Sequence, residues 1–408
     1  MTAPSTPVAI PFHRPSIGPA EREAVLEVLD SGWLTTGERT LAFEEATRAA
    51  VGTRQAVAVN SATAALHLAL EALDVGPGDE VIVPTYTFAT CGEVVRYLGA
   101  RPRLVDVEPR TLEVTAGTIA PHLRPETKAI MVVHFGGLVA DIVPILALAA
   151  EHGIAVVEDV AHAIPATRDG RQAGSFGVAG ALSFYETKTV TTGEGGMLVT
   201  DDDALADRAR VMRLHGISRD AWKRYTAGGS WYYEIEDVGF KYNLTDLAAA
   251  IGLVQLERAE AMRRERERVA RAYGRAVEAY GLSDVLELPV DAPLGDRHAW
   301  HLYPVRLAPD ATVSRAEVIE RLRADGIGTS VHFIPLHLHP YYRDTLGCNP
   351  SDCPRAASIY AELISLPLYP DVTVNEVDYV CSSLKTILAR SHSTVSGLRL
   401  PAEVERAA

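Results

Sequence analysis

Cysteine and long apolar runs are scarce in this chain of 408 residues, and its 39 lysines and arginines are outnumbered by 53 acidic residues. Its four cysteines form no paired framework, so we expect reduced thiols. Cys348 and Cys353 lie five positions apart, which is not the spacing of a zinc knuckle. The net charge of −14 argues against nonspecific binding of nucleic acid. Because a histidine, an aspartate and a proline interrupt the apolar residues at 131–150, we expect no membrane span.

Targeting signals, internal repeats and a dinucleotide-binding pattern are also missing. The first residues, Met1-Thr-Ala-Pro-Ser-Thr-Pro, have neither the basic region nor the apolar stretch of a signal peptide, so we expect a soluble, cytoplasmic protein. The glycines of Gly76-Pro-Gly-Asp79 predict a tight turn rather than the three-glycine loop that binds dinucleotides. A hydrophobic content of 47% is ample for a core, and the length suggests roughly two to three domains.

The most informative segment surrounds Lys188. Apolar residues lead into it, an apolar run from Met197 to Val199 follows it, and Ser, Thr and Gly dominate between them. Small residues let the backbone approach a ligand closely. Desolvation in such a setting lowers the pKa of a lysine and frees its amine for nucleophilic attack. Taken alone, however, the segment favours a surface loop between two strands.

A second segment supplies an acid. Residues 154–157 are typical of a buried strand, and Glu158 and Asp159 end it. An acid at the carboxyl end of a parallel strand faces the crevice where α/β proteins bind ligands. Asp159 precedes Lys188 by 29 positions, which leaves room for a loop and one more strand. Pyridoxal phosphate needs this pair: the lysine bonds to its aldehyde, and the aspartate keeps its pyridine nitrogen protonated.

A third segment predicts an anion site. Residues 55–60 are typical of a strand, and a helix with Ser61 as its N-cap follows at once. The free backbone N–H groups at such a helix start can bind phosphate. An ordinary capped helix that binds nothing would have the same pattern.

Together, four segments of the chain resemble the DegT/StrS family of sugar aminotransferases, in the same order and over a match from about Pro11 to about Ala389. The segments are residues 61–70, 81–90, 158–163 and 187–196. One segment alone is moderately specific, but four in order are strong evidence.

The resemblance implies an α/β protein with the aspartate aminotransferase fold (type I) and pyridoxal phosphate as cofactor. We expect a large domain at 11–260 with a mostly parallel mixed sheet, a smaller C-terminal α/β domain at 261–390, and a flexible tail at 391–408. The strand–helix alternation of the first half is independent support for such a sheet.

The same resemblance implies the site residues. Catalysis is assigned to Lys188 and Asp159. Both also contact the cofactor, together with Ser61, Ala62, Thr63, Phe88, His162, Ser183 and Asn243. The sugar is expected at Gly32, Trp33, Thr35, Tyr185 and His332. Phe88 would stack on the cofactor ring, and Asn243 would reach the phosphate in the site of a neighbouring subunit. Many family members have glutamine where this chain has His162, and histidine where it has Tyr185.

The implied reaction moves an amino group from L-glutamate, which leaves as 2-oxoglutarate, to a nucleotide-diphosphate keto-sugar in a homodimer. Residues 31–37 and 240–246 and His332 are most similar to members that act on 4-keto sugars, such as the UDP-4-amino-4-deoxy-L-arabinose enzyme, so C4 is the expected position. The alternatives are C3 of a 3-keto sugar, a keto-inositol, or a regulator that binds the cofactor without catalysis. Dehydratase relatives have histidine in place of the lysine, and Lys188 argues against that class.

Other expectations concern the rest of the chain. We expect one long helix at 246–280, a strand at 327–333, and a solvated face for the charged run at 263–268. The segment at 221–240 is interpreted as a disordered arm or a subunit contact. His332, His337 and His339 could form a metal site, but no carboxylate has ligand spacing, so we expect no metal.

Overall fold

The computed structural model describes residues 9–218 and 233–389. Most of the predicted arm at 221–240 and the predicted tail at 391–408 lie outside the described residues. No helix among those described is long and apolar enough to cross a membrane.

The described residues form strands and helices that alternate through most of the chain. The strands are β1 (Gln55–Val59), β2 (Glu80–Pro84), β3 (Arg101–Val105), β4 (Thr127–Val133), β5 (Ala155–Asp159), β6 (Thr167–Arg168), β7 (Arg171–Gln172), β8 (Ala179–Ser183), β9 (Gly196–Thr200), β10 (Leu286–Glu287), β11 (Tyr303–Leu307) and β12 (Leu363–Leu366). The helices are α1 (Pro19–Ser31), α2 (Glu38–Val51), α3 (Ala62–Ala72), α4 (Thr90–Tyr97), α5 (Ala116–Ile119), α6 (Ile142–His152), α7 (Asp203–Met212), α8 (Asp246–Glu257), α9 (Ala259–Ala279), α10 (Arg315–Ala324), α11 (Pro340–Leu346), α12 (Pro354–Glu362) and α13 (Val374–Ala389).

The larger sheet has seven strands in the order β1-β9-β8-β5-β4-β2-β3. Its strands run parallel except β9, which is antiparallel to both of its neighbours. The predicted mostly parallel mixed sheet is thus confirmed. This order places the carboxyl ends of β5 and β8 side by side at one edge of the sheet, where ligands bind in α/β proteins.

Helix α3 covers the middle of this sheet. Every residue from Ala64 to Leu70 is buried, because the helix is apolar around most of its circumference. It packs on β9, β8 and β5, and its core includes Val57, Val157 and Leu198. The packing holds the N-terminus of α3 close to the carboxyl ends of β5, which carries Asp159, and β8, which precedes Lys188.

A smaller antiparallel sheet, β10-β11-β12, forms in the C-terminal part of the chain. It shares a separate apolar core with α9, α10 and α13, which includes Tyr273, Val305 and Leu384. The predicted division between residues 260 and 261 falls just inside the start of α9.

Two predicted elements are wrong. The helix expected at 246–280 breaks at Arg258 into α8 and α9, where Arg258 and Gln255 both bind the buried carboxylate of Glu21. The strand expected at 327–333 is not formed, because Ile327 and Ser330 make only isolated bridges to other segments.

The expected solvated face with helical charge pairs at 263–268 is formed by Arg264, Glu265 and Arg268, but the expectation is wrong for two residues of the run. Arg263 and Arg266 are buried, since positions three apart share the face of α9 that carries Val269 and Tyr273 into the core. The Arg263 guanidinium binds Glu260 and Glu267 on its own helix. The Arg266 guanidinium instead binds backbone carbonyls near the candidate site.

Candidate active site

The ends of β5 and β8 form the centre of the candidate site. The two strands pair in parallel up to Asp159. Lys188 follows the end of β8 in a loop that returns to the antiparallel strand β9. The Phe184 N–H donates to Gly195 O at 2.9 Å and closes the base of this loop. The topology therefore brings together the aspartate and the lysine that were predicted to act as a pair.

Lys188 lies close enough to Asp159 for their charges to interact. Burial lowers the pKa of the Lys188 amine from 10.5 to about 8, and the Asp159 carboxylate partly opposes this change. Near neutral pH the amine is therefore neutral much more often than that of an exposed lysine. A neutral amine can attack a carbonyl and can accept a proton.

Both oxygens of Asp159 accept hydrogen bonds from the chain. The Ala161 N–H donates to Oδ1 at 2.9 Å, and the Cys91 thiol donates to Oδ2 at 3.2 Å. Asp159 is buried, and Cys91 is fully buried in the first turn of α4. These contacts hold the carboxylate in one orientation next to the lysine. Sequence analysis did not assign Cys91 to the site.

The start of α3 packs directly against the backbone of β9. Ser61 caps the helix, and an added Cβ on Gly196 would lie 2.3 Å from Ser61 C and 2.6 Å from Ala62 N. Only glycine permits this approach. Thr63 follows, and its Oγ1 lies 3.0 Å from Thr90 Oγ1. The predicted anion-binding residues thus share one helix N-terminus at the end of the lysine loop.

Ser183 belongs to the same group. It pairs directly with Gly196 in the ladder between β8 and β9, and its Oγ accepts the Tyr185 N–H at 3.4 Å. The Tyr185 side chain is exposed. The structure therefore places Ser183 beside the start of α3 and leaves the Tyr185 ring accessible at the mouth of the loop.

His162 is a neutral side chain beside the lysine. The Gly136 N–H donates to its Nδ1 at 3.3 Å, so Nε2 carries the proton in the neutral ring. Burial, aided by the Lys188 charge, lowers the pKa of His162 well below 6.5. Its ring lies 4.4 Å from the His301 ring and 5.8 Å from the Phe333 ring. Its Nε2–H is thus a candidate donor to a ligand oxygen.

Phe88 presents an accessible aromatic face. It is 61% exposed at the carboxyl end of β2, and its ring centroid lies 5.8 Å from that of Phe333. A large exposed aromatic side chain is suited to stack on a flat ligand ring.

A cleft opens beside the lysine loop. Its described lining combines imidazole, aromatic and aliphatic side chains and one hydroxyl: Phe12, His13, Thr187, His301, Leu302, His332, Leu366 and Leu368. Burial is the main cause that lowers the pKa of His13 and His332 to about 4 and that of His301 well below 6.5, and the Lys188 charge contributes to all three. At neutral pH these imidazoles are therefore uncharged. Because His13 Nε2 contacts Glu186 O and His332 Nδ1 contacts Ser365 Oγ, each of these two rings has one nitrogen left for a ligand.

Sequence analysis missed two of these histidines, His13 and His301. His13 Nε2 lies 3.1 Å from Glu186 O, a contact across 173 positions that no local pattern reveals. His301 follows Trp300, which adopts a left-handed backbone with φ 51°. The dense run of histidine and tryptophan at 298–301 was the signal that could have marked the second of them.

Arg266 binds the backbone of the cleft wall. Its Nη1 donates to Trp300 O at 3.3 Å, His301 O at 3.4 Å and Leu368 O at 2.9 Å. The residue is 2% exposed, and burial lowers the pKa of its guanidinium to about 10. No described carboxylate forms a salt bridge with it. Arg266 thus joins the turn before β11 to the segment after β12.

The predicted sugar-binding turn and the segment containing Asn243 form one unit. Gly32 ends α1 with φ 71°, and the Trp33 indole N–H donates to Thr36 O at 3.1 Å. Thr35 O accepts the N–H of the first residue of α8 at 3.2 Å. Asn243 Nδ2 donates to Thr36 Oγ1 at 2.8 Å. The described residues show no hydrogen bond from this unit to the lysine or the aspartate, and it meets the start of α3 through the bridge between Asn243 and the end of β1.

The histidines at 332–339 diverge. His332 Nδ1 lies 2.9 Å from Ser365 Oγ, whereas His337 Nδ1 lies 2.7 Å from Thr85 Oγ1. Within the described ranges, no group of three or more His, Cys, Asp or Glu side chains is placed to hold a metal ion. Of the three histidines, only His332 lines the cleft.

Comparison with known proteins identifies the family of this chain. The sequence model of the DegT/DnrJ/EryC1/StrS aminotransferase family matches residues 15–385. The chain belongs to this family. The predicted family is therefore confirmed, and the DegT-family protein is a transaminase.

Individual relatives of the DegT-family chain agree. The spore coat polysaccharide biosynthesis protein SpsC of Bacillus subtilis is 46% identical over 381 residues, which are 93% of this chain and 97% of that protein. A putative sugar aminotransferase, Spr1654 of Streptococcus pneumoniae in its PMP form, has a TM-score of 0.88 at 31% identity, covering 94% of this chain and 100% of that one. The aminotransferase TlmJ of Streptoalloteichus hindustanus has a TM-score of 0.85 at 35% identity, with the same coverage. These matches confirm the predicted fold class.

The DegT-family enzyme depends on pyridoxal phosphate, and Spr1654 has been solved in its PLP form. The residues of the site fit this cofactor. A lysine with a lowered pKa faces a fixed aspartate, as the aldehyde and the ring nitrogen require. The approach of Gly196 to Ser61 leaves a helix N-terminus at the right end of the sheet for a phosphate.

Proposed function

We propose that this DegT-family aminotransferase moves an amino group from L-glutamate to C4 of a nucleotide-diphosphate 4-keto sugar in amino-sugar biosynthesis. The cleft beside Lys188 is the observation that carries the sugar acceptor. Three uncharged imidazoles line it together with aromatic and aliphatic side chains. Sugar hydroxyls both donate and accept hydrogen bonds, as neutral imidazoles do, and the apolar faces of a sugar ring pack on such side chains.

When bound, pyridoxal phosphate supplies an aldehyde that takes up the amino group and a ring that withdraws electrons from the adjacent carbon. Lys188 would anchor the cofactor and, once released, its neutral amine would move the proton at the substrate carbon. Asp159 would hold the ring nitrogen, Phe88 would pack on the ring, and His162 would offer its Nε2–H to the ring oxygen.

The phosphate contacts are assigned to the start of α3 and the end of β8. Ser61, Ala62 and Thr63 present the backbone N–H groups of the helix start together with two hydroxyls, and Ser183 lies opposite Gly196 on the adjacent strand. Gly196 packs so closely against Ser61 and Ala62 that position 196 has no room for a side chain. We assign the phosphate to this helix start, which offers N–H donors, and not to the cleft lined by uncharged imidazoles.

The sugar position and the donor have further support. Among the relatives, SpsC is a spore coat polysaccharide biosynthesis protein and Spr1654 is a putative sugar aminotransferase. The similarity of residues 31–37, 240–246 and His332 to 4-keto-sugar enzymes favours C4. Among the proposed sugar contacts Gly32, Trp33, Thr35, Tyr185 and His332, the last lines the cleft in this chain.

We further propose a homodimer in which Asn243 serves the phosphate site of the partner. Several exposed apolar side chains on and around α1 and α2 support a subunit contact, because large apolar side chains gain from being covered. They are Leu26, Leu29, Trp33, Leu34 and Leu41. Asn243 belongs to the same unit through the turn at Trp33. The division into domains at 11–260 and 261–390 is part of the same proposal.

A panel of UDP- and TDP-linked 3-keto and 4-keto sugars, each supplied with L-glutamate, tests this function. We expect 2-oxoglutarate release and, by NMR, a product with nitrogen on C4. Nitrogen on C3, or turnover of a keto-inositol alone, would replace the proposal with its alternative. Cofactor binding without any reaction with glutamate would favour a regulator. Lys188→Ala is the inactive control and should lose the visible absorbance of the lysine-bound cofactor.

A further inference from the structure

A chain of hydrogen bonds leads from the β2–α4 turn to Asp159. The Cys91 thiol donates to Asp159 Oδ2 at 3.2 Å, and Cys91 Sγ also lies 3.2 Å from Thr87 Oγ1. Cys91 is fully buried and Thr87 is 2% exposed. Water therefore does not compete for either contact, and each one is stronger than it would be at the surface.

The single proton of the thiol determines the direction of both contacts. Because the S–H donates to Asp159, the sulfur can only accept at its second contact, so the Thr87 hydroxyl donates to it. Burial and the nearby Asp159 charge raise the pKa of the Cys91 thiol well above its usual range. The proton therefore stays on sulfur at neutral pH, and the chain runs in one direction from Thr87 to Asp159.

Two separate elements thus hold one carboxylate. The thiol binds Oδ2 from α4, while the Ala161 N–H binds Oδ1 at 2.9 Å from the loop after β5. Together they fix the rotation of the carboxylate and leave its remaining lone pairs for a ligand. We propose that Cys91 is a positioning residue for Asp159, with Thr87 orienting the thiol. This inference rests on the proposed function of Asp159 as the partner of the cofactor's ring nitrogen.

The choice of a thiol has a chemical consequence. An S–H group is a weaker donor than a hydroxyl. It orients the carboxylate while drawing away little of its negative charge, and that charge is needed to keep a ring nitrogen protonated. A hydroxyl at position 91 would orient Asp159 as well but would leave the carboxylate less basic.

The S–H stretching vibration tests the hydrogen bond in the wild-type enzyme, with and without pyridoxal phosphate. We expect one thiol band to lie at lower wavenumber than the others, to disappear in Cys91→Ser, and to shift when the cofactor binds. Thr87→Val keeps the shape and removes the donor to sulfur, so it should move the same band. A Cys91 band at the position of the other thiols would overturn the proposal.

Cofactor binding distinguishes positioning from packing. Cys91→Ala should weaken pyridoxal phosphate binding about threefold to tenfold, as expected for one lost hydrogen bond to a charged group with a weak donor. It should also shift the pH midpoint of the bound cofactor's absorbance, whereas Cys91→Ser should restore affinity with a midpoint that remains shifted. The matched control is Cys381→Ala, a fully buried thiol in α13. Wild-type behaviour of Cys91→Ala, or equal losses in both alanine variants, would contradict a positioning role.

Asp159→Asn separates this inference from the proposed function. If that variant keeps wild-type turnover, the catalytic role of Asp159 is wrong whatever the thiol band does. If Asp159→Asn loses turnover while the Cys91 band is unshifted, the positioning role alone is wrong.

Discussion

Glu158 and Asp159 are adjacent on β5, yet their carboxylates have separate partners on opposite faces of the sheet. Asp159 faces the thiol of α4 and the lysine loop. Glu158 is fully buried and accepts the N–H groups of Gly174, Phe176 and Gly177 at 2.7–2.8 Å. One acid therefore organises backbone, and its neighbour is the one to which we assign a role in the chemistry.

The fourth donor to Glu158 is His134, whose Nε2 lies 2.9 Å from Oε2. Since His134 Nδ1 accepts the Ala140 N–H at 3.2 Å, the proton is on Nε2. Glu158→Gln would turn an amide N–H₂ toward two of these donors. We expect the free energy of unfolding to fall by about 3–5 kcal/mol, as for breaking a buried charged contact, measured by chemical denaturation.

Asp159→Asn is the control for that prediction. It should unfold close to the wild-type midpoint and lower kcat by about 10²–10³-fold, the range for losing one electrostatic stabiliser in a site. The reverse pattern, in which Glu158→Gln is stable and Asp159→Asn unfolds, would contradict the division of roles.

The lowered pKa of Lys188 predicts a pH dependence in the cofactor-free enzyme. Only the neutral amine reacts with an amine-reactive reagent. The rate of Lys188 labelling should therefore rise with pH, reach its midpoint at about pH 8 and level off above it. Mass spectrometry of the labelled peptides gives the rate at Lys188, with the other lysines as internal controls.

The Asp159 charge raises the pKa of Lys188, opposing the larger effect of burial. Removing it in Asp159→Asn should therefore move the labelling midpoint below pH 8. A wild-type midpoint near 10.5, or one that rises in the variant, would show that the amine is neither buried nor paired as described.

Gly196 predicts a steric effect on the cofactor. In Gly196→Ala the new Cβ would meet Ser61 C at 2.3 Å and Ala62 N at 2.6 Å, so the start of α3 must move. We expect a loss of about 1–3 kcal/mol in stability and a clear loss of cofactor affinity by fluorescence titration. Gly274→Ala on α9 is the matched control, because a Cβ there meets no atom within 4 Å. It should gain about 0.5–1 kcal/mol and bind the cofactor normally.

Two buried arginines on α9 each lower the pKa of a different histidine, so replacing one or the other should change only one of the two pKa values. The Arg266 charge lowers the pKa of His13, and the Arg263 charge lowers that of His298. Arg266→Met should therefore raise the pKa of His13 above about 4 and leave that of His298 unchanged. Arg263→Met should raise the pKa of His298 and leave that of His13 unchanged. Burial is the larger cause in both, so neither value should reach 6.5. NMR titration of labelled imidazoles measures both, and equal shifts in the two variants would contradict the assignment.

Local patterns predicted the parts of the site that local chemistry determines. Ser61 caps α3, Asp159 ends the buried strand β5, and Lys188 follows β8. Each of them has a signal in the sequence within a few residues. The family resemblance added His162, whose pKa the nearby Lys188 charge helps burial to lower, and Ser183, which pairs with Gly196 at the start of β9.

Contacts between distant segments were not predictable in this way. Cys91 reaches Asp159 across 68 positions, and Arg266 belongs to a charged run that resembles a solvated helix face. The helix at 246–280 has an unbroken pattern, but Glu21 binds Arg258 and Gln255 at the break. The residues at 327–333 have the composition of a strand, yet they lack a neighbouring strand for more than isolated bridges.

The proposed sharing of sites between subunits predicts complementation by two inactive variants. Lys188→Ala lacks the amine, and in Asn243→Asp a carboxylate would repel the phosphate. In a hybrid dimer one site combines both defects, while the other has an intact lysine and an intact Asn243 from the partner. We expect about a quarter of wild-type activity after mixed refolding, because about half of the dimers are hybrids with one intact site each. Lys188→Ala mixed with Asp159→Asn, two changes within one subunit's site, should recover nothing. If Lys188→Ala with Asn243→Asp also recovers nothing while capture through a tag on one variant shows hybrid dimers, Asn243 acts within its own chain, where it already binds Thr36.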